Sequence, residues 1–234
     1  MEDILRSGFA ELGIETDGKA FERYNTYFEY LEERNAVMNL TAISGREDVA
    51  RLHFLDCAAL LSVCDFKDKT VIDVGTGAGF PGLALKIAEP SIRLTLLDSL
   101  NKRIEFLTET CEKLSFDDVA CLHARAEEAP KELYAAFDAA TSRAVARLNV
   151  LCELCLPFVK VGGVFIAMKG PDCSQELTEA ENALHLLLGA KVESTAAYTI
   201  PGTDITHTAV VIRKLKPTHP KYPRKWAQIK KQPL

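Results

Sequence analysis

The sequence predicts an α/β protein built on a mostly parallel sheet with helices on both faces. Three observations carry this reading. Short apolar runs alternate with amphipathic segments from residue 69 to residue 189. The first run, Thr70–Val74, passes directly into a glycine-rich turn, Gly75-Thr76-Gly77-Ala78-Gly79. The last two runs, 191–200 and 207–215, follow each other with no helix between them, which predicts an antiparallel, hairpin-like edge.

In order, a helix over residues 2–12 opens the chain. A second covers 21–39, where Tyr24, Tyr27, Phe28 and Leu31 recur at the spacing of one helix face. A third covers 47–63 after the cap-like Ser44-Gly45. Strand 70–74 is followed by a helix over 80–88, with Pro81 in its first turn, where proline fits. Strand 93–98 leads to helix 101–114, and strand 118–124 to a short helix or turn at 126–134. Strand 137–142 precedes helix 150–159, and strand 162–170 precedes a helix over 174–188 that stops at Gly189.

The 47% apolar content is ordinary for a soluble chain of 234 residues, one large domain or a domain with an extension. No apolar run approaches the length of a membrane span. The opening MEDILRSGFAELG is acidic and amphipathic, unlike a secretory signal. The seven cysteines are odd in number and sit mostly in apolar segments, so reduced thiols and a cytoplasmic location are expected. Cys152 and Cys155 form a lone CxxC with no second pair, so no metal site is expected.

Charge is unevenly spread. Eight of the 28 Lys and Arg fall between residues 213 and 234, which hold no acid, so the rest carries 20 basic against 33 acidic residues, a balance of −13. The tail RKLKPTHPKYPRKWAQIKKQPL also holds the only tryptophan. Such a tail suits a polyanion, through counterion release and base stacking, or is a solvated end.

The glycine turn fits a nucleotide-like ligand at the carboxyl end of the strands. Gly77, Gly79 and Gly82 also satisfy GxGxxG, with Asp98 downstream as the ribose acid, so NAD(P) and S-adenosylmethionine both fit the bare pattern. Asp73 tilts the balance. At a separation of about 6 Å and an effective dielectric of about 20, its charge repels each phosphate charge by roughly 3 kcal/mol. A cationic sulfonium or ammonium is attracted instead. Asp73 is equally suited to capping the turn's amides. Asp98 is placed to accept ribose hydroxyls, with Ser99 beside it as a helix cap. Ala126 and Glu127, in the turn after the third strand, are expected to face an adenine.

For a methyltransferase, what is missing narrows the target. After the fourth strand the chain reads TSRAVA, without the acid or asparagine and Pro-Pro-aromatic of amine methylation, and without a nucleophilic cysteine for pyrimidine C5. Guanine N7 needs neither, because its lone pair is nucleophilic and carries no proton. Arg143 is placed to grip a guanine edge, a phosphate or a cofactor carboxylate. Lys169 is placed to reach a phosphate. His53 and Asp56, three apart, share a helix face and are read as pinning that helix to the core.

The ordered set Asn39-Leu40-Thr41, HFLDC at 53–57, VIDVGTGAGFPG at 71–82, LLDSLNKR at 96–103, HARAEE at 123–128, TSRAVA at 141–146 and KG at 169–170 resembles the glucose-inhibited division protein B family. These are bacterial small-subunit rRNA guanine-N7 methyltransferases. The resemblance implies a Rossmann-like, class I S-adenosylmethionine-dependent methyltransferase sheet of seven strands with an N-terminal helical cap. It implies cofactor contacts at Gly75, Phe80, Asp98, Ser99, Ala126, Glu127 and Arg143, joined by the turn residues Asp73, Gly77 and Gly79 read above. Arg125, Arg143 and Lys169 become the expected RNA or active-site contacts. The expected organisation is a helical cap at 1–66, a methyltransferase core at 67–213 and a basic tail at 214–234. The expected partner is 16S rRNA or the small ribosomal subunit, with no membrane, and the chain acting as a monomer. The tail is similar to that of some Gram-positive members, with Trp-Ala-Gln where those carry Gly-Xaa-Pro. Its removal is expected to weaken RNA binding and spare the cofactor. The rivals are an NAD(P)-dependent oxidoreductase, a methyltransferase of small molecules or proteins, and a non-enzymatic ribosome-binding protein.

Overall fold

A computed structural model describes residues 1–16 and 18–234, with the backbone alone for residues 185–188. Seven strands form one sheet in the order β3-β2-β1-β4-β5-β7-β6. They are β1 (Thr70–Val74), β2 (Arg93–Asp98), β3 (Ala120–His123), β4 (Phe137–Arg143), β5 (Val159–Lys169), β6 (Lys191–Thr199) and β7 (Thr206–Arg213). The first five are parallel, and β7 lies antiparallel between β5 and β6. The expected hairpin edge is therefore present, and its second strand is the one inserted next to β5. An all-parallel dinucleotide sheet has the order 3-2-1-4-5-6. The inserted antiparallel strand sets this sheet apart.

The helices are α1 (Glu2–Leu12), α2 (Gly18–Met38), α3 (Arg46–Val49), α4 (Asp56–Ala58), α5 (Gly82–Ala88), α6 (Asn101–Lys113), α7 (Leu148–Cys155), α8 (Ser174–Leu188) and α9 (Trp226–Lys231). Helix α5 starts two residues later than the sequence suggests, with Pro81 as its N-cap after a cis Phe80–Pro81 bond. Residues 126–134 form two single 3₁₀ turns. The third expected helix changes winding along its length. Residues Ala50–Leu55 between α3 and α4 are π-helical, and a 3₁₀ turn, Ala59–Ser62, ends the stretch. π-Helical turns are rare and concentrate at functional sites. This one carries His53.

Each face of the sheet has its own core. Helices α1, α2, α5 and α6 and the 46–62 stretch cover one face. An aromatic chain runs through it, with Tyr24 and Tyr27 both packed on Phe54, and Tyr27 stacked on Phe80 at 5.4 Å. The Tyr27 hydroxyl donates to the Ala78 carbonyl and so ties α2 to the glycine turn. Gly79 permits this approach: a Cβ there would collide with the Tyr27 hydroxyl and lie 3.0 Å from Leu107.

Helices α7 and α8 cover the other face, together with part of the tail. Ile229 is fully buried and Tyr222 nearly so. Arg224 makes a double ion pair with Glu153, whose carboxylate is buried in α7. The Leu234 carbonyl accepts from Asn149. The tail is thus packed onto the domain and is not a solvated end. The sequence obscures this because its prolines and charges read as linker, while its docking depends on a few residues, Tyr222, Arg224, Ile229 and Leu234. Cys152 and Cys155 are buried in this core, and burial pushes the Cys152 thiol up to about 12. Among the described residues no helix is long and apolar enough to cross a membrane, and no His, Cys, Asp and Glu cluster is arranged to hold a metal.

Candidate functional site

Parallel pairing brings the carboxyl ends of β1, β2, β3 and β4 together, with Val74 beside Leu97 and Asp98 beside His123. The chain leaves β1 and turns at once, the amides of Gly75 and Thr76 both donating to the Leu97 carbonyl. The turn opens onto a cleft of two lobes that share Gly75, Asp98, Ser99 and Val145. One lobe, about 240 Å³, is walled by Val74, Leu97, Ala124, Arg125, Ala126, Glu127, Leu154 and Trp226. The other, about 460 Å³, has Leu40, Thr41, His53, Thr76, Gly77, Ala78, Phe80, Arg103, Arg143 and Ala144. The first is largely apolar, and the second is about half polar and carries Asp98, Arg103 and Arg143, so the cleft suits a ligand with one aromatic and one charged end.

Asp73 is not on the cleft wall. It is fully buried, with Oδ2 accepting from Thr76 Oγ1 at 2.7 Å and from the Gly82 amide at 2.9 Å, and Oδ1 accepting from Thr141 Oγ1 at 3.1 Å. Burial raises its pKa to about 6, partly offset by these donors. The expectation of direct ligand contact is corrected: Asp73 caps the turn and acts on the cleft only through its charge. Gly79 is corrected too, because it faces Tyr27 and not the cleft. Gly77 does face the opening. Its φ is +63°, its amide donates to Asp98 Oδ2, and a Cβ there would meet no atom within 4 Å.

Asp98 borders both lobes. Its Oδ1 accepts from the Leu100 amide, and its Oδ2 from Gly77 at 2.9 Å and from Arg103 at 3.3 Å. A carboxylate offers about four acceptor positions. Three are taken, so a pair of hydroxyls fits only if the long Arg103 contact yields.

Arg143 leaves the end of β4 and separates the polar lobe from a third cavity of about 470 Å³. It spans back to the N-terminal helices. Nη1 donates to the Leu52 carbonyl at 3.2 Å and to Asp56 Oδ2 at 3.0 Å, and Nη2 donates to His53 Nδ1 at 2.7 Å. His53 stacks on Phe80 at 4.2 Å, and the guanidinium lies 5.0 Å from the same ring. Because His53 Nδ1 accepts, its Nε2–H donates to Thr41 Oγ1 at 2.8 Å. Burial, then the charge of Arg143, lower its pKa to about 3. Thr41 is held in turn by Asn35, whose side chain accepts from the amides of Leu40 and Thr41 and donates to the Thr41 carbonyl. His53 and Asp56 therefore do pin the helical cap, but through Arg143 rather than to each other.

Asp56 is the hub behind Arg143. Its Oδ1 accepts from Tyr198 at 2.9 Å and from His207 Nδ1 at 2.8 Å, residues paired across β6 and β7. Burial pushes its pKa up, but His207, Arg143 and Tyr198 outweigh that and leave it below 3.8. The same bond raises His207 above 6.5, against opposing burial. The third cavity is lined by Ile43, Leu52, Met168 and Ile205, with His53, Asp56, Arg143, Lys169 and His207 at its polar points. Lys169 is nearly buried and donates to the Ala146 carbonyl and to Glu176 at 2.7 Å. That corrects its reading as a free phosphate contact, because the ammonium is spent on holding the 143–148 loop. In that loop Ala144 adopts φ +56°, a left-handed conformation uncommon outside glycine.

The cleft thus gathers Gly75, Gly77, Phe80, Asp98, Ser99, Arg125, Ala126, Glu127 and Arg143 and leaves out Asp73, Gly79 and Lys169, the last reaching only the third cavity. Sequence reading missed Arg103, Tyr198, His207 and Leu154. Arg103 had a signal, its place in the first turn of α6, five residues after Asp98. Tyr198 and His207 had none, because only strand register brings them opposite each other.

The sheet order and this cleft define a class I methyltransferase fold. Solved structures share it: a SAM-dependent methyltransferase from Aquifex aeolicus has TM-score 0.53 at 19% identity over 70% of this chain and 93% of its own. P. horikoshii TYW2 in complex with MeSAdo has TM-score 0.55 at 14% identity over 70% and 62%. The sequence then fixes the family. Residues 20–201 match the model of GidB, rRNA small subunit methyltransferase G, and the chain belongs to that family. It is 48% identical to the ribosomal RNA small subunit methyltransferase G of Alkaliphilus metalliredigens, over 99% of this chain and 98% of that one. The protein of the same name from Clostridium perfringens is 44% identical, again over 99% and 98%.

Proposed function

We propose that this chain is an S-adenosylmethionine-dependent methyltransferase that modifies N7 of a guanine in 16S rRNA of the small ribosomal subunit. Family membership supports rRNA as the substrate. The cleft supports the cofactor: the apolar lobe suits adenine, the remaining acceptor position of Asp98 suits a ribose hydroxyl, and the polar lobe lies over the buried Asp73 carboxylate. Arg103, the loosest partner of Asp98, is placed to take the cofactor's carboxylate. The sheet order argues against NAD(P), and so does the buried carboxylate beneath the glycine turn.

The observation that carries N7 is the TSRAVA stretch at the end of β4, which lacks the acid or asparagine and Pro-Pro-aromatic of amine methylation and borders a third cavity that can hold the base. This cavity meets the polar lobe at His53, Arg143 and Ala144, and its volume of about 470 Å³ leaves room for a purine. The one carboxylate on its wall, Asp56, has both oxygens engaged. His207 gives its Nδ1–H to that carboxylate, which raises its pKa, and its Nε2 is a donor while the ring is protonated. N7 methylation moves no proton, so it asks none of these groups to act as a base. The N7 lone pair forms the bond to the methyl carbon while the sulfur–methyl bond breaks and leaves its electrons on sulfur. The protein's part is to hold the base, with His207 donating to the guanine O6 edge, and to keep water out behind Leu52, Met168 and Ile205. The exposed Lys216, Lys221, Lys225, Lys230 and Lys231, with Arg125, supply the attraction to RNA that the acidic body lacks.

The test supplies purified chain and methyl-labelled S-adenosylmethionine to naked 16S rRNA and to small subunits from cells lacking the gene. Mass spectrometry of nuclease fragments then locates the label. A single 7-methylguanine is expected. Label on another atom, or only on protein, rejects the proposal.

A further inference from the structure

The tail does more than cover α7. It carries the chain's only tryptophan to the rim of the apolar lobe, where Trp226 lines the wall together with Leu97 and Leu154. The geometry points to Trp226 as a cofactor-binding residue: its indole forms one wall of the adenine site of an adenosyl sulfonium ligand. This rests on the reading of that cleft proposed above.

Three features support it. The indole is held in place from behind, because Arg224, two residues earlier, is locked to the buried Glu153, and Ile229, three residues later, is fully buried. Arg125 covers one face of it, with the guanidinium over the ring at 5.3 Å from its centre while its Nε donates to Glu127 at 2.6 Å. That arrangement joins Trp226 to Arg125 and Glu127, which flank Ala126 in the turn expected to face the adenine. The other apolar side chains of the wall, such as Val74, Leu97, Ala126 and Leu154, are aliphatic, so among the described residues Trp226 is the one aromatic surface of the lobe on which a purine can stack. A purine on an indole face is a strong, geometrically tolerant contact. A segment that the sequence marks as a basic arm is on this reading part of the cofactor pocket. Its loss is then expected to weaken cofactor binding, contrary to the expectation drawn from sequence.

The test is spectroscopic as well as thermodynamic, because the emission of a single tryptophan reports on this position alone. S-adenosylhomocysteine is titrated into the full chain and followed in parallel by fluorescence and calorimetry. The emission is expected to change saturably, with the calorimetric dissociation constant. Trp226→Ala is expected to raise that constant about thirtyfold, the middle of the range for losing one base–aromatic stack, and Trp226→Phe to recover most of it. At 37% exposure the side chain is not a core residue, so these variants are expected to fold. Ile229→Asp, which releases the tail while leaving Trp226 in the chain, should weaken binding as much as Trp226→Ala and abolish the emission change. Calorimetric saturation with unchanged emission, or Trp226→Ala within twofold of the parent, overturns the inference and leaves the functional proposal standing. Absence of any binding by the parent chain overturns both.

Discussion

Replacing Asp56 by Asn is the sharpest probe of the framework behind the cleft. The substitution is nearly isosteric. The amide oxygen can still accept from Tyr198 and His207, but its NH₂ must face the Arg143 Nη1 donor that Asp56 Oδ2 now accepts at 3.0 Å. Breaking a buried ion pair by removing one partner costs about 3–5 kcal/mol. Asp56 is 1% exposed and Arg143 16%, so the stranded guanidinium regains some water through the two cavities it borders. The low end, about 3 kcal/mol, is therefore expected. At about 2–4 °C per kcal/mol for a chain of this size, Tm should fall by about 6–12 °C in differential scanning calorimetry. The pH dependence adds a signature. Asp56 is held below 3.8, so its contribution is present above that value and fades as pH falls through the folded pKa. His207 is raised above 6.5, so its contribution is complete below 6.5 and fades as pH rises through the folded pKa. The gap between parent and variant should be widest between about pH 4 and 6.5 and should narrow, without closing, in alkali, where Arg143 is still charged. A variant within 2 °C of the parent at pH 6, or a gap that widens in alkali, refutes the reasoning.

Three further outcomes are expected. Asp73→Asn can keep the contacts to Thr76, Gly82 and Thr141. The folded pKa of Asp73 is raised to about 6, so the stability of its protonated form is lost as pH rises through that value. At pH 8 the variant should melt no lower than the parent yet bind S-adenosylmethionine several-fold more weakly in calorimetry, and equal affinity would remove the charge of Asp73 from the account. Gly77→Ala should fold, lose about 1–2 kcal/mol to left-handed strain and bind S-adenosylhomocysteine at least tenfold more weakly, because the methyl enters the cleft. Gly79→Ala should instead show its loss mainly in Tm, since its methyl meets Tyr27 and Leu107, so a reversal of the two phenotypes contradicts their placement. His53 should stay neutral and Nε2-protonated from pH 5 to 8, because burial and Arg143 lower its pKa to about 3. Nitrogen NMR that finds the Nδ1–H tautomer, or titration near 6.5, contradicts the Thr41–His53–Arg143 relay.

Much of this was legible in the chain because it is local. Alternating strands and helices, the glycine turn after β1 and Asp98 at the end of β2 are each fixed by residues within a few positions of one another. What escaped is long-range. Asp73 sits beside the glycines in sequence, but the Gly82 amide and the Thr141 hydroxyl, 9 and 68 residues away, turn its carboxylate inward. Lys169 ends a strand, where solvation is the natural reading, yet Glu176 on the next helix captures it. His207 and Tyr198 reach Asp56 only because β7 enters the sheet between β5 and β6. The tail was misjudged for the same reason, because nothing between residues 214 and 234 announces Glu153 as the partner of Arg224.

The cleft over the β1 turn is assigned to an adenosyl-sulfur ligand, S-adenosylmethionine or its thioether product, and not to a dinucleotide. Parallel calorimetric titrations of the purified chain with S-adenosylhomocysteine and with NAD test this directly. Saturable one-to-one heat with the first and none with the second is the expected result. Saturable binding of NAD, with S-adenosylhomocysteine silent, would contradict the assignment of the cleft and of the reaction.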